Sequence, residues 1–504
     1  MRLRLTIVFT ALLITLALPL GLRRGGPHKE APPEDTLVLI TPHNETIRRE
    51  FDKAFRQHML AEHGRKIVLD WRVPGGTSEI RKFIDAEFVH SRKNERIGIG
   101  IDLFFGGGVY DFEQQQKAGQ LEATEVFSRH PEWFQDDIIP ASFSGEVYYH
   151  EGGEWVGTCL SSFGIIYNRD ALARLGFEGV PDEWEDLAHP AFVGKVGLVD
   201  PTKSGSSTKA FEMLIQEQLQ NAIASIPPEK AYRPNAIEDA KTLGWTKAMQ
   251  LIQRISGNAR YFTNESAKIP LDVAQGNAAV GMSIDFYGRT LAEAVADPAT
   301  GQSRVGFVTP RGGSSYSVDP IAILKGAPNK ALAEDFIDFV LSLEGQKLWD
   351  FKVGAPGGPE ERSLRRLPLR RDLYTEEYLP YFADPEALPY DVEEPFVYLP
   401  ELTGSRFSSI QFIVRVMCLD PHPEQKTAWK AILKAHQENG QLPRQAYGVF
   451  SNVDLVNYGN SGDGIRRVLR SDNQLETVIL AKQLAGSFRK NYQRAYALAK
   501  AALP

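Results

Sequence analysis

Three times in the first quarter of the chain, a short apolar run ends in a loop of small or polar residues that opens a helical pattern. The runs are 36–40 (TLVLI), 66–73 (KIVLDWRV) and 102–108 (DLFFGGG), and a fourth unit of this kind spans 196–208 (VGLVDPTKSGSST). Strands that alternate with helices in this way build a parallel sheet with helices packed on its faces. The sequence therefore predicts an α/β fold.

The loop at 204–208 is richer in hydroxyl groups than a helix start requires. Ser204, Ser206, Ser207 and Thr208 surround Gly205, whereas a single hydroxyl is enough for an N-cap. A row of hydroxyls before a helix is also suited to hold an anion. Two interpretations stay open at this point, an ordinary capped loop and one wall of a ligand site.

Similar small and polar residues follow the other predicted strands. In open α/β sheets, ligands bind beyond the carboxyl ends of the strands, where the helices begin. Each helix N-terminus adds roughly half a positive charge, so several of them together favour an anionic ligand or a metal carried with an anion. The residues predicted to bind the ligand are Thr41, His43, Asn44, Gly76, Thr77, Ser78, Gly107, Ser204, Gly205, Ser206, Ser207, Asp285, Tyr287 and Arg289.

The N-terminal segment is typical of an export signal. A basic start, MRLR, precedes 18 residues from Leu5 to Leu22 that carry threonines as their only polar side chains. The apolar run is long for a signal peptide and close to the minimum for a membrane span. Residues 1–24 are therefore predicted to be either a cleaved signal or an N-terminal anchor, and 25–35 a linker. Either case predicts a periplasmic or other extracytoplasmic location, with a tether at 5–22 if the segment is retained.

Composition argues against several classes of function. The 504 residues have a formal net charge of -7, so nucleic acid is not an expected partner. Cys159 and Cys418 form no metal-binding spacing, and they are expected either to pair or to stay free. No Gly-x-Ser-x-Gly or His-Glu-x-x-His motif occurs. No cofactor and no resident metal are predicted.

Two long apolar stretches are expected to cross between lobes, at 155–172 and 305–324. The predicted limits follow from them: lobe 1 over 36–154, lobe 2 over 155–310, and a return to lobe 1 over 311–375. The arginine-rich segment 361–371 is predicted to be a solvated surface segment. Residues 376–504 form a mainly helical C-terminal extension, interpreted either as a cap on one lobe or as a docking surface.

The order of these motifs resembles the extracellular solute-binding proteins of bacterial ABC importers. The resemblance spans about 36–370 and is carried by LITPHNETIRREFDKAF, VPGGTSEI, DLFFGGGVYDF, FGIIYNRDALARLGF, DVAQGNAAVGMSIDFYGR and the phrase PDEWEDL leading to GKVGLVDP. The branch that it resembles most is the ferric-iron type, which also includes binders of phosphorylated or phosphonate solutes, thiamine and polyamines.

The resemblance implies a two-lobe periplasmic-binding-protein fold of type II, with crossover strands as the hinge and the ligand between the lobes. The iron branch uses an adjacent tyrosine pair, which reads Phe286-Tyr287 here. With one phenol absent, direct ferric binding would depend on Tyr287. Arg289 beside Asp285 is suited either to an oxygen-rich anion or to an ion pair with Asp285.

These observations predict the substrate-binding component of an ABC importer, without catalysis. Its expected partners are an anionic small molecule, bearing phosphate, phosphonate or carboxylate, or an anion-chelated ferric ion, and a permease in the inner membrane. Direct ferric binding is the first alternative. A membrane-tethered sensor, or an enzyme on the same fold with His43 and Asp285 as its candidate groups, is the alternative from another class.

Overall fold

The computed structural model describes residues 35–230, 232–392, 396–471 and 473–503. The predicted signal or anchor, and all but the last residue of the predicted linker, lie outside these ranges. The strands are β1 (Thr36–Ile40), β2 (Val68–Arg72), β3 (Leu103–Phe105), β4 (Leu121–Glu122), β5 (Ser142–Phe143), β6 (Glu146–Val147), β7 (Val156–Ser161), β8 (Phe163–Asn168), β9 (Val196–Val199), β10 (Ala259–Thr263), β11 (Val280–Ile284), β12 (Val305–Val308), β13 (Ser317–Leu324) and β14 (Leu367–Pro368).

Helices cover most of the remaining chain. In the lobes they are Glu45–His63, Thr77–Lys93, Val109–Lys117, Val126–Arg129, Arg169–Leu175, Gly205–Ala224, Ala236–Asn258, Lys268–Ala274, Asp285–Ala294, Lys330–Leu341 and Leu343–Asp350. In the C-terminal extension they are Pro400–Thr403, Phe407–Val414, His422–Asn439, Arg444–Phe450, Tyr458–Asn460, Arg466–Arg470 and Gln474–Ala501.

Apart from the two-stranded sheet of β5 and β6, the strands form one sheet for each lobe. In lobe 1 the order is β14-β7-β13-β3-β1-β2, with β4 also paired to β13, and in lobe 2 it is β10-β9-β11-β8-β12. β1 pairs in parallel with β2 and β3, whereas β13 runs antiparallel to β3 and β7. The chain passes from β7 to β8 through Ser162 and returns from β12 to β13. These are the two predicted crossovers, and the two-lobe α/β fold with a helical C-terminal region is confirmed.

Local sequence explains how the first unit begins its helix. The Asn44 side chain accepts a hydrogen bond from the Ile47 backbone N–H at 3.0 Å, and Gly64 ends the helix at φ 62°. An asparagine N-cap and a left-handed glycine C-cap satisfy backbone groups that have no partner within a helix. The predicted apolar face of this helix is buried against the sheet, as Ile47, Phe51, Phe55 and Met59 show.

The C-terminal extension packs mainly against lobe 2. Its helix His422–Asn439 lies against the lobe-2 helix Ala236–Asn258, and Trp245 donates its indole N–H to the carbonyl of Val456 at 2.7 Å. The buried Trp429 indole donates in turn to the Asn258 side chain at 2.8 Å. Large aromatic side chains with satisfied polar atoms make this a continuous core. The extension therefore covers lobe 2, as one of the two interpretations proposed.

One local prediction is wrong. The segment 361–371 is not a solvated surface, because Leu364, Leu367 and Leu369 are buried and Arg366 and Arg370 are buried with them. Arg366 pairs with Asp319 and Arg370 with Asp372, which composition does not reveal. Further along, β11 stops at Ile284 and a helix begins at Asp285, so DFYGR lies at the start of a helix.

Other sequence expectations have simpler outcomes. Cys159 and Cys418 are both buried and free. Among the described residues, no helix has the length and apolar character needed to cross a membrane. The limits given above for the two lobes stay predictions.

Candidate ligand-binding site

A cleft of about 1010 Å³ lies between the two lobes and the C-terminal extension. Lobe 1 contributes loops after β1, β2 and β3, and lobe 2 contributes the loop after β9 and the segment after β11. The extension contributes residues between Tyr398 and Arg470. The cleft therefore has three walls, of which the sequence predicted two.

Four helices begin at the cleft. Their N-caps, Asn44, Gly76, Gly108 and Ser204, all line it. Gly76 and Gly108 supply no side chain to the first turn of their helices, so the backbone N–H groups there are approachable. The helix dipoles add positive potential at the same place.

The structure brings nine of the fourteen predicted residues to the cleft. These are His43, Asn44, Gly76, Thr77, Gly107, Ser204, Gly205, Ser206 and Tyr287. Five do not line it, namely Thr41, Ser78, Ser207, Asp285 and Arg289. Thr41, Ser78 and Ser207 are buried and do not line the cleft, and the hydroxyl of each forms a hydrogen bond within the protein.

The serine loop both caps its helix and lines the cleft. Ser204 caps its helix by accepting a hydrogen bond from the Ser207 N–H at 3.2 Å. The Ser204 hydroxyl is also 2.7 Å from that of Ser266 and 3.0 Å from that of Ser206. Ser204, Ser206 and Ser266 all line the cleft. The Ser204 hydroxyl thus caps the helix, and together with the hydroxyls of Ser206 and Ser266 it forms a cluster of three that faces the cleft.

The two lobes meet at one edge of the cleft. A methyl group added to Gly76 would lie 2.7 Å from the carbonyl oxygen of Lys203, which explains why a glycine stands there. The Lys203 ammonium forms an ion pair with Glu79 at 3.2 Å. Lobe 1 and lobe 2 are therefore in direct contact beside the serine loop.

Arg289 forms an ion pair with Asp285, which is the second of the two roles that the sequence suggested for it. Its guanidinium lies 2.7 Å from Asp285 and 3.2 Å from Asp384, and it donates to the carbonyl of Arg365 at 3.1 Å. Asp285 is fully buried. With both groups bonded to each other outside the cleft, the prediction that they contact the ligand does not fit this geometry. The pair holds a lobe-2 helix against the segment that follows β14.

Arg366 is the cleft residue that sequence reasoning missed most clearly. Its side chain is 2% exposed and forms an ion pair with Asp319 at 2.7 Å, and both residues line the cleft. The guanidinium carbon lies 4.6 Å from the Phe286 ring centroid. Its Nε is buried without a hydrogen-bond partner. No local signal separated Arg366 from the five other charged residues of its segment.

His43 and Arg48 lie beside Arg366. Burial, followed by the charges of Arg366 and Arg48, lowers the pKa of His43 well below its usual value. The imidazole is therefore neutral at pH 7, and its Nε2 has no hydrogen-bond partner. Gly106 is needed behind it, since an added methyl group would lie 2.3 Å from that Nε2. Asp285, the other catalytic candidate, is not in the cleft, so the two groups do not form a catalytic pair there.

A second charged cluster joins all three walls. The Lys209 ammonium of lobe 2 lies 2.9 Å from Glu146 of lobe 1 and 3.2 Å from Glu212. It also lies 3.7 Å from the ring centroid of Tyr398, whose hydroxyl donates to Glu212 at 2.9 Å. Charge pairing and hydrogen bonds together make such burial tolerable. One ammonium thus lies between two carboxylates, and the cluster offers no free cation to a ligand.

Most other charged side chains of the cleft are also paired. Those with an oppositely charged partner are Glu79, Asp111, Glu113, Lys117, Glu146, Lys203, Lys209, Glu212, Asp319 and Arg366. Within the part of the chain that the structure describes, Arg48, Arg466 and Arg470 line the cleft and form no ion pair, and Glu265 is the acidic counterpart without one. Three free arginines against one exposed carboxylate favour an anion.

The cleft offers few groups to a bare metal ion. Among the described residues, no three or more His, Cys, Asp and Glu gather with the geometry of a metal site. Tyr287 lines the cleft, and burial raises the pKa of its phenol. Phe286 packs on it at 4.1 Å between ring centroids in place of a second phenol.

A cleft between two α/β lobes joined by crossover strands defines a ligand-binding protein of the periplasmic type. The family of bacterial extracellular solute-binding proteins matches residues 99–368, more than half of the chain, and the chain belongs to this family. The solved structure of iron-bound HitA from Pseudomonas aeruginosa is similar in fold, with a TM-score of 0.50 and 18% identity over 75% of this chain and 99% of HitA.

Two relatives align with a smaller share of this chain. An uncharacterized protein of Haemophilus influenzae is 26% identical over 253 residues, which cover 49% of this chain and 60% of that protein. The phosphoglycerate transport regulatory protein PgtC of Salmonella typhimurium is 24% identical over 193 residues, covering 38% of this chain and 40% of PgtC. The chain thus spans less than two thirds of the length of either relative.

Proposed function

We propose that this protein captures an anionic small molecule between its lobes and delivers it to an ABC permease of the inner membrane. The observation that carries the proposal is the set of three cleft arginines, Arg48, Arg466 and Arg470, that have no carboxylate partner among the described residues. Guanidinium groups pair with phosphate and carboxylate through two parallel hydrogen bonds. The ligand class is therefore a solute that bears phosphate, phosphonate or carboxylate.

Other features of the cleft support the same class. Four helix N-termini point their dipoles at the cleft, and a cluster of serine hydroxyls lies on the lobe-2 wall. A neutral His43 can donate one hydrogen bond without a counter-charge. PgtC, a relative, is named for phosphoglycerate transport. Together these features favour an oxygen-rich anion over a polyamine, which would need free carboxylates.

An anion-chelated ferric ion remains compatible with the proposal, because the chelator would present the anionic groups. Direct ferric binding would require Tyr287 and further oxygen ligands, and the cleft carboxylates other than Glu265 are already paired. A membrane-tethered receptor differs in attachment and not in cleft chemistry. Sequencing the N-terminus of the mature protein distinguishes it from a cleaved, freely diffusing one.

The test is a thermal-shift panel followed by calorimetry on the purified full chain. The probes are inorganic phosphate, glycerol 3-phosphate, fructose 6-phosphate, ferric citrate, ferric ion, putrescine and thiamine. A ligand at 100 times its Kd stabilises by about 2.7 kcal/mol, so a phosphorylated probe is expected to raise Tm clearly. A shift with putrescine, thiamine or bare ferric ion, and with no anion, would overturn the proposal.

A matched pair of variants tests whether Arg48 contacts the solute. Arg48→Gln is expected to weaken the binding of a phosphorylated solute by about tenfold or more, because a charge-assisted hydrogen bond is lost. The neighbouring Arg49 is two-thirds exposed, pairs with Glu45 at 2.6 Å and lies outside the cleft. Arg49→Gln is therefore the control and should bind like the unmodified protein.

A further inference from the structure

The C-terminal extension takes part in the cleft as well as covering lobe 2. Ser405, Phe407, Ser408, Arg466 and Arg470 all line the cleft. Every one of these residues follows residue 368, where the match to the solute-binding family ends. This wall therefore lies outside the part of the chain that the family match covers, and the lobes alone do not supply its chemistry.

The extension is held firmly where it meets the cleft. The Gln216 side chain of lobe 2 donates to Thr403 at 2.7 Å, and Thr403 donates to Glu212 at 2.7 Å. On the opposite side, the Phe407 ring stacks on Tyr110 of lobe 1 with 4.5 Å between centroids. Side chains anchored in this way place the neighbouring cleft residues before any ligand arrives.

The two arginines of this wall form no ion pair with the acidic residues that the structure describes. In the part of the chain that the structure describes, Arg466 and Arg470 have no acidic partner, and the Nε of Arg466 is buried without a hydrogen bond. The nearby Arg406 differs, because it donates to Ser461 at 3.3 Å and its guanidinium carbon lies 3.9 Å from the ring centroid of Tyr458. A buried guanidinium nitrogen without a partner is costly unless a ligand satisfies it.

The arginines of the cleft lie on two different walls. Arg48 lies in the lobe-1 helix Glu45–His63, and Arg366 pairs with Asp319 of the lobe-1 strand β13. Arg466 and Arg470 lie on the extension helix Arg466–Arg470. The first set, His43, Arg48 and Arg366, is called the lobe pole. The second set, Ser405, Ser408, Arg466 and Arg470, is called the extension pole.

We propose that the lobe pole and the extension pole bind the two ends of one solute, so that the ligand class is a small molecule with two separated anionic groups. Phosphate and carboxylate at opposite ends, or two phosphates, meet this requirement. The inference rests on the proposed function, since it assigns a second contact to the same anionic ligand. It makes the extension a determinant of specificity, because a solute with one anionic group leaves the extension pole unsatisfied.

The experiment compares matched ligands on matched variants of the full chain. The ligand pairs are glycerol 3-phosphate with 3-phosphoglycerate, and fructose 6-phosphate with fructose 1,6-bisphosphate. In each pair the second member carries an additional anionic group. The variant is Arg466→Gln/Arg470→Gln, and the control is Arg467→Gln, an exposed residue of the same helix that does not line the cleft. Calorimetry gives Kd for each combination.

The unmodified protein is expected to prefer the doubly anionic member of at least one pair by about tenfold or more, the effect of one charge-assisted contact. The double variant should lose this preference, because its affinity for the doubly anionic member should fall by about tenfold more than its affinity for the singly anionic member. Arg467→Gln should behave like the unmodified protein.

The remaining outcomes separate the two proposals. If the double variant binds the doubly anionic member as the unmodified protein does, the extension pole is refuted and the proposed function stands. If it weakens both members of a pair equally, a single anionic group contacts the extension and the two-ended ligand is refuted. If no anion binds the unmodified protein, the proposed function itself fails, and the inference fails with it.

Discussion

The walls contributed by the lobes differ from the wall contributed by the extension in how they use charge. On the lobes, Arg366 pairs with Asp319, and Lys203 pairs with Glu79. On the extension, Arg466 and Arg470 have no such partner among the described residues. Paired charges stabilise the lobe walls, whereas the unpaired arginines of the extension stay available to a ligand. The difference teaches that the residues most available to a ligand lie partly outside the region that defines the family.

The largest expected effect comes from breaking a pair on the lobe wall. Arg366→Met leaves Asp319 without its partner in a buried setting, and the free energy of unfolding should fall by about 3–5 kcal/mol. Urea denaturation measures the change. Arg466→Gln on the extension wall should not lower the free energy of unfolding, because it breaks no ion pair among the described residues and removes a buried Nε that has no hydrogen-bond partner.

A second substitution shows whether the pair is responsible. In the Arg366→Met background, Asp319→Asn removes the uncompensated carboxylate and should recover part of the lost stability. An Arg366→Met variant less than about 1 kcal/mol below the unmodified protein would show that charge pairing does not distinguish the two walls.

A change of pH is expected to alter the free energy of unfolding by an intermediate amount, with opposite signs for a group in lobe 1 and a group in the extension. In lobe 1, burial raises the pKa of Asp111 to about 6 even though Arg81 lies 2.9 Å away. In the extension, burial and then the charge of Lys426 lower the pKa of His422 to about 4. Each shift means that the folded and unfolded chains bind different numbers of protons between about pH 4 and 6.5.

The signs follow from which state holds the proton. Folded Asp111 keeps a proton that the unfolded chain has released, so its contribution to stability is present at low pH and is lost as the pH rises through about 6. Unfolded His422 gains a proton that the folded chain refuses, so its contribution is present above about pH 6.5 and is lost as the pH falls toward 4. Low pH therefore stabilises the folded protein through Asp111 and destabilises it through His422.

The measurement is the urea midpoint at pH 5 and pH 7. His422→Gln should stabilise the protein at pH 5 relative to pH 7 by an amount on the order of 1 kcal/mol. Asp111→Asn should instead stabilise the protein at pH 7 relative to pH 5. Identical pH profiles for both variants and the unmodified protein would refute the assignment of these groups.

The smallest effect concerns the contact between the extension and both lobes. The Gln411 side-chain amide donates to Thr208 of lobe 2 at 3.1 Å and to Ser78 of lobe 1 at 3.5 Å. Gln411→Leu should cost about 1 kcal/mol, the net worth of a neutral hydrogen bond. Gln483→Leu, at an exposed position of the last helix, is the control. Equal midpoints for the two variants would mean that this contact does not stabilise the protein.

Much of the fold could be predicted because its signals are local. The alternation of strands and helices, the two crossovers and the N-cap at Asn44 depend on residues close in sequence. The small residues at helix starts identified two walls of the cleft for the same reason. A glycine or serine before a helix has a local role whatever the rest of the chain does.

The charged residues could not be assigned in this way. Arg289 and Arg366 lie in similar polar sequence, yet one is bonded to Asp285 outside the cleft and the other faces the ligand site. Their partners are set by long-range contacts, as Arg366 with Asp319 shows. The extension pole was missed because Arg466 and Arg470 lie on a short basic helix whose sequence is typical of a solvated surface.

The stacking of Phe407 on Tyr110 joins the extension to lobe 1 across the mouth of the ligand site. Aromatic pairs of this kind contribute about 0.5–1.5 kcal/mol beyond the burial of their surface, and any separation of the two walls gives that contribution up. Because both rings line the cleft, the contact that joins the walls also gives the site an aromatic surface beside its arginines.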